Sequence, residues 1–249
     1  VLLGDHRERY AEALPHFAES YRINSSIGAR VGMGWDQINR ATSWLALGRY
    51  DEVRTALAEA HAIAAGPDAR FKSQVVWIEV VRAQMALSLG NHAEARTRAR
   101  VALTLADPDY EDAARQARQT LALAEVASGA AKAALASIAP AVAAARTSKL
   151  PRVISTALLV SADVRLAAGD ATGALADAQA AQRLFASGEQ LESEWRAWLV
   201  SAQAARLTRD SRLAGDCAAR AEASRAALQA SWGDDTYLGY ARRPDIQRR

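Results

Sequence analysis

Cysteine is nearly missing from this chain of 249 residues. Cys217 stands alone, which excludes a disulfide within the chain and a cysteine-rich metal site. Set among alanines, it reads as a small apolar filler on a helix. Lysine occurs only at 72, 132 and 149, so the formal charge of +3 rests on arginine. Six prolines and 14 glycines leave little chain for loops. β-Branched runs are almost absent; the densest, "QVVWIEVV" around Trp77, lies between helix formers and reads as helix. No stretch approaches the roughly 18 consecutive apolar residues of a membrane helix, and no leader segment is visible. A cytoplasmic setting is the expectation. Val1 stands where methionine is usual, and "VLLG" matches the last turn of later helices in "LALG" and "LSLG", so at least one further helix is expected upstream.

What the chain does have is alanine, leucine and arginine, three of the strongest helix formers, within a composition that is 50% hydrophobic and 24% charged. Arg96, Arg98 and Arg100 alternate with small residues on one helix without the continuous basic stripe that nucleic acid requires, so they read as a solvated face.

Self-similarity organises the rest. Turn glycines fall at Gly48, Gly90, Gly129 and Gly169, spaced 42, 39 and 40 residues apart. A further step reaches Arg209 in a polar turn without glycine, and a step back reaches Gly4. Seven residues before these turns stand Ala41, Ala83, Ala122, Ala162 and Ala202; twelve after stand Ala60, Ala102, Ala141, Ala181 and Ala221. Five after come Val53, Ala95, Ala134, Ala174 and Ala214. Antiparallel helices joined by a short turn approach closely only where the crossing side chains are small. Each unit is therefore a helical hairpin, and stacking of hairpins builds the core.

First helices are expected near 27–47, 69–89, 110–128, 150–168 and 189–207. Second helices are expected near 51–65, 92–106, 131–147, 171–187 and 211–230, after a leading helix near 7–23. Asp51 reads as an N-cap, and Gly66-Pro67, Asp107-Pro108 and Pro151 as breaks between units. Pro140 falls inside a second helix and is expected to kink or shorten it.

The turn residues Gly48, Tyr50 and Glu52, with Val53, and again Gly90, His92, Glu94 and Ala95, resemble the glycine-x-tyrosine-x-glutamate-alanine pattern of the tetratricopeptide repeats (TPR). With the small-residue columns, the resemblance covers residues 27 to 230. It implies an all-α, right-handed α-solenoid of stacked antiparallel hairpins, here about five repeats stretched to about 40 residues. Residues 1–230 form the array and 231–249 a capping segment or tail. Elongated repeats of this type look like those in large bacterial signalling proteins, and "SWGDDTYLGYARRPDIQRR" is similar to the ends of such regions in some bacterial serine/threonine kinases.

Chemistry-bearing constellations are not found. His6, His16, His61 and His92 lack the spacing of metal ligands. Gly28, Gly32 and Gly34 miss a phosphate loop and its lysine, and read instead as sites of close helix approach or a frayed helix start. "DPDYEDAARQ" reads as a helix start, with Asp109, Glu111 and Asp112 at the positive end of the dipole. The chain is thus read as a non-enzyme without cofactor or metal, binding a protein or peptide segment in a groove.

The resemblance implies that first-helix positions 13, 10 and 6 residues before each turn line that groove. They are Trp35, Ile38 and Thr42; Trp77, Val80 and Gln84; Gln116, Gln119 and Leu123; Thr156, Leu159 and Asp163; Arg196, Leu199 and Gln203. None is lysine or asparagine, which disfavours the carboxylate-gripping class of the family. Trp35 and Trp77 either line the groove or pack between hairpins, whereas Trp44, Trp195, Trp198 and Trp232 read as packing residues. A small-ligand sensor and a structural or self-associating array are the alternative readings.

Overall fold

The computed structural model describes residues 8–65, 71–106 and 110–248. Among these residues are thirteen helices and no strand. They are α1 (Tyr10–Ser26), α2 (Arg30–Ala46), α3 (Tyr50–Ala64), α4 (Lys72–Ser88), α5 (His92–Leu105), α6 (Glu111–Ala127) and α7 (Ala131–Thr147). There follow α8 (Pro151–Ala167), α9 (Ala171–Ser187), α10 (Leu191–Leu207), α11 (Ser211–Trp232), α12 (Asp234–Ala241) and α13 (Pro244–Gln247). The class is the expected one, an all-α protein of antiparallel helix hairpins of the right-handed solenoid type.

One local device makes the turns. At residues 28, 48, 90, 129, 169, 189 and 209 the chain enters the left-handed region, with φ between 56° and 85°. Each time, the next residue's N–H reaches back to the carbonyl five residues earlier, as from Arg49 to Trp44 and from Asp210 to Ala205. The left-handed residue itself bonds to the carbonyl three back, as from Gly48 to Leu45. This is the Schellman closure, which satisfies the last carbonyls of one helix while turning the chain into the next. Five of the seven positions are glycine, and Glu189 and Arg209 adopt the same conformation with a side chain.

Consequently α8 to α11 succeed one another at steps of 20 residues, marked by positions 169, 189 and 209. The 40-residue period is two such helix-plus-turn steps. The breaks expected at Gly66-Pro67 and Asp107-Pro108, like Gly4 and His6, lie outside the described residues, while Pro151 opens α8 at its first position.

The chain divides into two compact units. The first holds 9–120 and 234–248, the second Glu8 and 121–233. In the first, Ile38, Ala41 and Leu45 of α2 pack with Val53, Ala56, Leu57 and Ala60 of α3 and with Ile78 and Val81 of α4. Val76 and Val80 of α4 meet Ala102 of α5 and Ala113 and Ala117 of α6. In the second, Ala122 packs with Ala134, Ile138 and Ala141 of α7 and with Val160 and Val164 of α8. Leu159 and Ala162 join Ala178, Ala181 and Phe185 of α9 and Ala197 and Val200 of α10. All fifteen members of the three small-residue columns are at most 4% exposed, which is the close crossing their size was read to serve.

Several local readings are corrected. Asp51 is not an N-cap: α3 begins at Tyr50, and Asp51 sits in its first turn, paired to Arg54 at 2.6 Å. Pro140 does not shorten its helix, since α7 runs unbroken for 17 residues with the proline on its exposed side. Glu111 and Asp112 do occupy the first turn of α6, whereas Asp109 lies outside the described residues. Gly32 lies against the Asn24 side chain and Gly34 against Gln74, so both permit close approach between helices. Cys217 is a buried filler. Residues 234–247, within the stretch read as a capping segment or tail, form two short helices grouped with the first unit.

Candidate binding groove

First helices carry the expected line, and each unit holds part of it. In the first unit, α2 positions Trp35 and Thr42, α4 positions Trp77 and Gln84, and α6 positions Gln116 and Gln119. Trp35 is half-buried against the α2–α3–α4 core. Trp77, also half-buried, touches both that core and the α4–α5–α6 core, so it acts as a wedge between hairpins. Ile38 and Val80 are core residues, 2% and 0% exposed. They leave the groove line, because a side chain with no surface makes no contact with a partner.

The polar members are placed differently. Thr42 donates its hydroxyl proton to its own helix at the Ile38 carbonyl, 3.0 Å away, and keeps only acceptor capacity. Gln84 Nε2 donates to Gln116 Oε1 at 3.0 Å, an amide-to-amide bond between α4 and α6. One turn on from Gln116, Gln119 is buried and its Nε2 has no hydrogen-bond partner. A buried amide donor left unmet costs about 1–3 kcal/mol, and with no exposed surface this nitrogen, like Ile38 and Val80, makes no contact with a partner.

In the second unit, Leu123, Thr156, Asp163, Leu199 and Gln203 are half-buried, and Leu159 is core at 5% exposed. Arg196 pairs with Glu192 on its own helix at 3.3 Å. Trp195 is buried; Trp198 donates to Glu194 at 3.3 Å and stacks under Arg220, which suits the packing role assigned to both. Trp44 likewise lies against the core beneath the guanidinium of Arg40.

Sequence reading missed one charged residue of the second unit. The buried carboxylate of Glu8 accepts from the Glu192 N–H at 2.6 Å and from the Ser193 hydroxyl at 2.5 Å. Burial, reinforced by the nearby Glu192 carboxylate, pushes its pKa up to about 8 despite these donors. No sequence signal marks it, because its partners lie 184 and 185 residues away.

Among the described residues no group of three or more His, Cys, Asp or Glu is placed to hold a metal ion, and no helix is long and apolar enough to cross a membrane. No family model matches the sequence, and no curated protein matches it. A solved structure is similar in fold: the crystal structure of BtubC (BKLC) from P. vanneervenii, at 15% identity and a TM-score of 0.57. The match covers 90% of this chain and 92% of that one. At that identity the likeness concerns the path of the helices and nothing finer.

Proposed function

We propose that the chain is a non-catalytic protein-interaction module whose first unit binds an extended peptide segment along α2, α4 and α6. The observation that carries this reading is the amide pair of Gln84 and Gln116 on successive first helices, in the same unit as the half-buried ring of Trp35. Side-chain amides carry both a donor and an acceptor for a peptide backbone, and a tryptophan ring supplies the apolar anchor typical of binding hot spots. A rigid helical scaffold holds them in place before the partner arrives, which lowers the entropic cost of binding. Attachment to a larger bacterial signalling or regulatory protein is the setting that the TPR resemblance supports.

Selection from a library of short displayed peptides tests the reading. Trp35→Ala and Gln116→Ala should each weaken the selected peptide by at least tenfold while leaving the denaturant midpoint within a few tenths molar of the parent. If no peptide is enriched, or if the enriched one is indifferent to both substitutions, the reading fails. Trp77→Ala serves as the contrast: as a wedge between two cores it should lower stability by about 2–4 kcal/mol.

A further inference from the structure

Two of the turns differ from the others. Among the described turns, those at Gly48 and Gly90 are followed, two residues on, by a ring, Tyr50 and His92; the matching residues at the other described turns are Arg30, Ala131, Ala171, Leu191 and Ser211. Two residues before the turn, Ser88 is the hydroxyl of the 40-residue series, whose other members are Ala46, Ala127, Ala167 and Leu207; Ser26 and Ser187 hold the same place before the intervening turns at Gly28 and Glu189. These exceptions are where the C-terminal segment sits.

Gly239 of α12 lies backbone to backbone against the α2–α3 turn: a Cβ on Gly48 would stand 2.5 Å from the Gly239 carbonyl oxygen, and a Cβ on Gly239 would stand 2.7 Å from that of Leu47. Arg243 donates to the Ala46 carbonyl at 3.0 Å and to Asp245 through Nε at 3.1 Å and Nη2 at 2.8 Å. Asp245 in turn accepts from the Ser88 hydroxyl at 2.9 Å. With that proton committed, Tyr50 donates to Ser88, 2.6 Å away. The Arg243 guanidinium lies over the ring of Tyr240, which is fully buried, and the Arg248 guanidinium reaches Gly90.

The site is complete without its occupant. Both turns are closed by their own backbone bonds, and the groups described above that meet the segment come from residues 46–90. The occupant is not independent: helices of 8 and 4 residues fall below the length that holds in water. It is joined to α11 through Gly233, at φ 77° and ψ 155°, a conformation essentially restricted to glycine. A preformed site, a short ligand that folds on contact and a glycine hinge between them are the ingredients of exchange between identical chains.

We propose that the edge made by the α2–α3 and α4–α5 turns is a peptide-binding site for the segment 234–248, held by the chain's own segment in the monomer and by that of a second copy in a reciprocally exchanged dimer. Recognition rests on a glycine for backbone approach, a buried tyrosine, and an arginine–aspartate pair that reads the Ala46 carbonyl and the Ser88–Tyr50 hydroxyl chain.

A fluorescent peptide of residues 234–248 tests it on the full chain. Tethering gives the chain's own segment a large effective concentration, so the peptide should bind wild type weakly. It should bind at least tenfold tighter to a chain carrying Tyr240→Ala and Arg243→Ala, whose site is intact and whose own segment is impaired. Adding Gly48→Ala to that chain should abolish binding. Gly129→Ala, at a turn where a Cβ meets nothing within 4 Å, should leave binding unchanged and controls for the strain of any turn substitution. Failure of the peptide to bind the doubly substituted chain, with helicity intact by circular dichroism, overturns the site. The second copy is tested by mixing that chain with one carrying Gly48→Ala alone. Light scattering should read a heterodimer absent from either sample by itself, and a mixture that stays monomeric at peptide-binding concentrations overturns the exchange.

Discussion

Individual residues set the conformation of the turns more than the composition suggests. Glu189 and Arg209 hold φ at 56° and 62°, a region in which a side chain costs roughly 1 kcal/mol and glycine nothing. Arg209→Gly and Glu189→Gly should therefore each raise stability by about 0.5–1 kcal/mol, read from the denaturant midpoint; lower midpoints would mean that these side chains make contacts worth more than the strain. Glu8 makes a pH forecast. Its pKa is raised by burial to about 8 from an ordinary carboxylate value of 4.5, so the folded chain holds a proton that the unfolded chain releases. The stabilising contribution is full below about pH 4.5 and is lost as pH rises through about 8. Unfolding midpoints taken from pH 5 to pH 8 should fall in the parent and fall less in Glu8→Gln, whose amide carries no ionisable proton.

At the level of elements, the helices were legible because their constraint is local. The crossing of two close helices demands small residues, and Ala83 or Ala162 reports that demand in its own position. A turn glycine likewise reports its φ. Where the constraint is met by an atypical residue, the register slips. Between α9 and α10 the left-handed conformation falls on Glu189 and not on the neighbouring Gly188, so no glycine marks the midpoint of that 40-residue period. The same holds for the groove: periodicity marks Ile38 and Val80 as first-helix residues but not their depth, which neighbouring hairpins decide. Pro140 shows tolerance at this scale. It forfeits the bond to the Ala136 carbonyl, yet α7 continues because its inner face is held by Ala134, Ile138, Ala141 and Ala145. Pro140→Ala should stabilise the protein, by up to about 3 kcal/mol in thermal or denaturant unfolding, since the position is exposed and the regained bond brings no clash. An unchanged midpoint would indicate a helix already adapted around the ring.

For the molecule as a whole, the C-terminal segment was illegible for the opposite reason. Tyr240, Arg243 and Asp245 are ordinary tail residues until the turns they meet are known, and nothing near them in sequence names those turns. Their distance along the chain has a kinetic consequence. Hairpin contacts join neighbouring helices and form quickly, whereas the bond from Arg243 to Ala46 spans 197 residues and that from Ser88 to Asp245 spans 157. The segment has no surface to fold on until the turns at Gly48 and Gly90 exist, so it docks after the rate-limiting step and leaves before it in reverse. Tyr240→Ala should accordingly leave the refolding limb of a chevron plot unchanged within about twofold and steepen the loss of structure on the unfolding limb. A slowed refolding limb would place the segment in the nucleus. Late docking also sets a window in time: a chain emerging from synthesis presents the finished turns before residues 234–248 have been made, and during that interval the edge stands without its own segment.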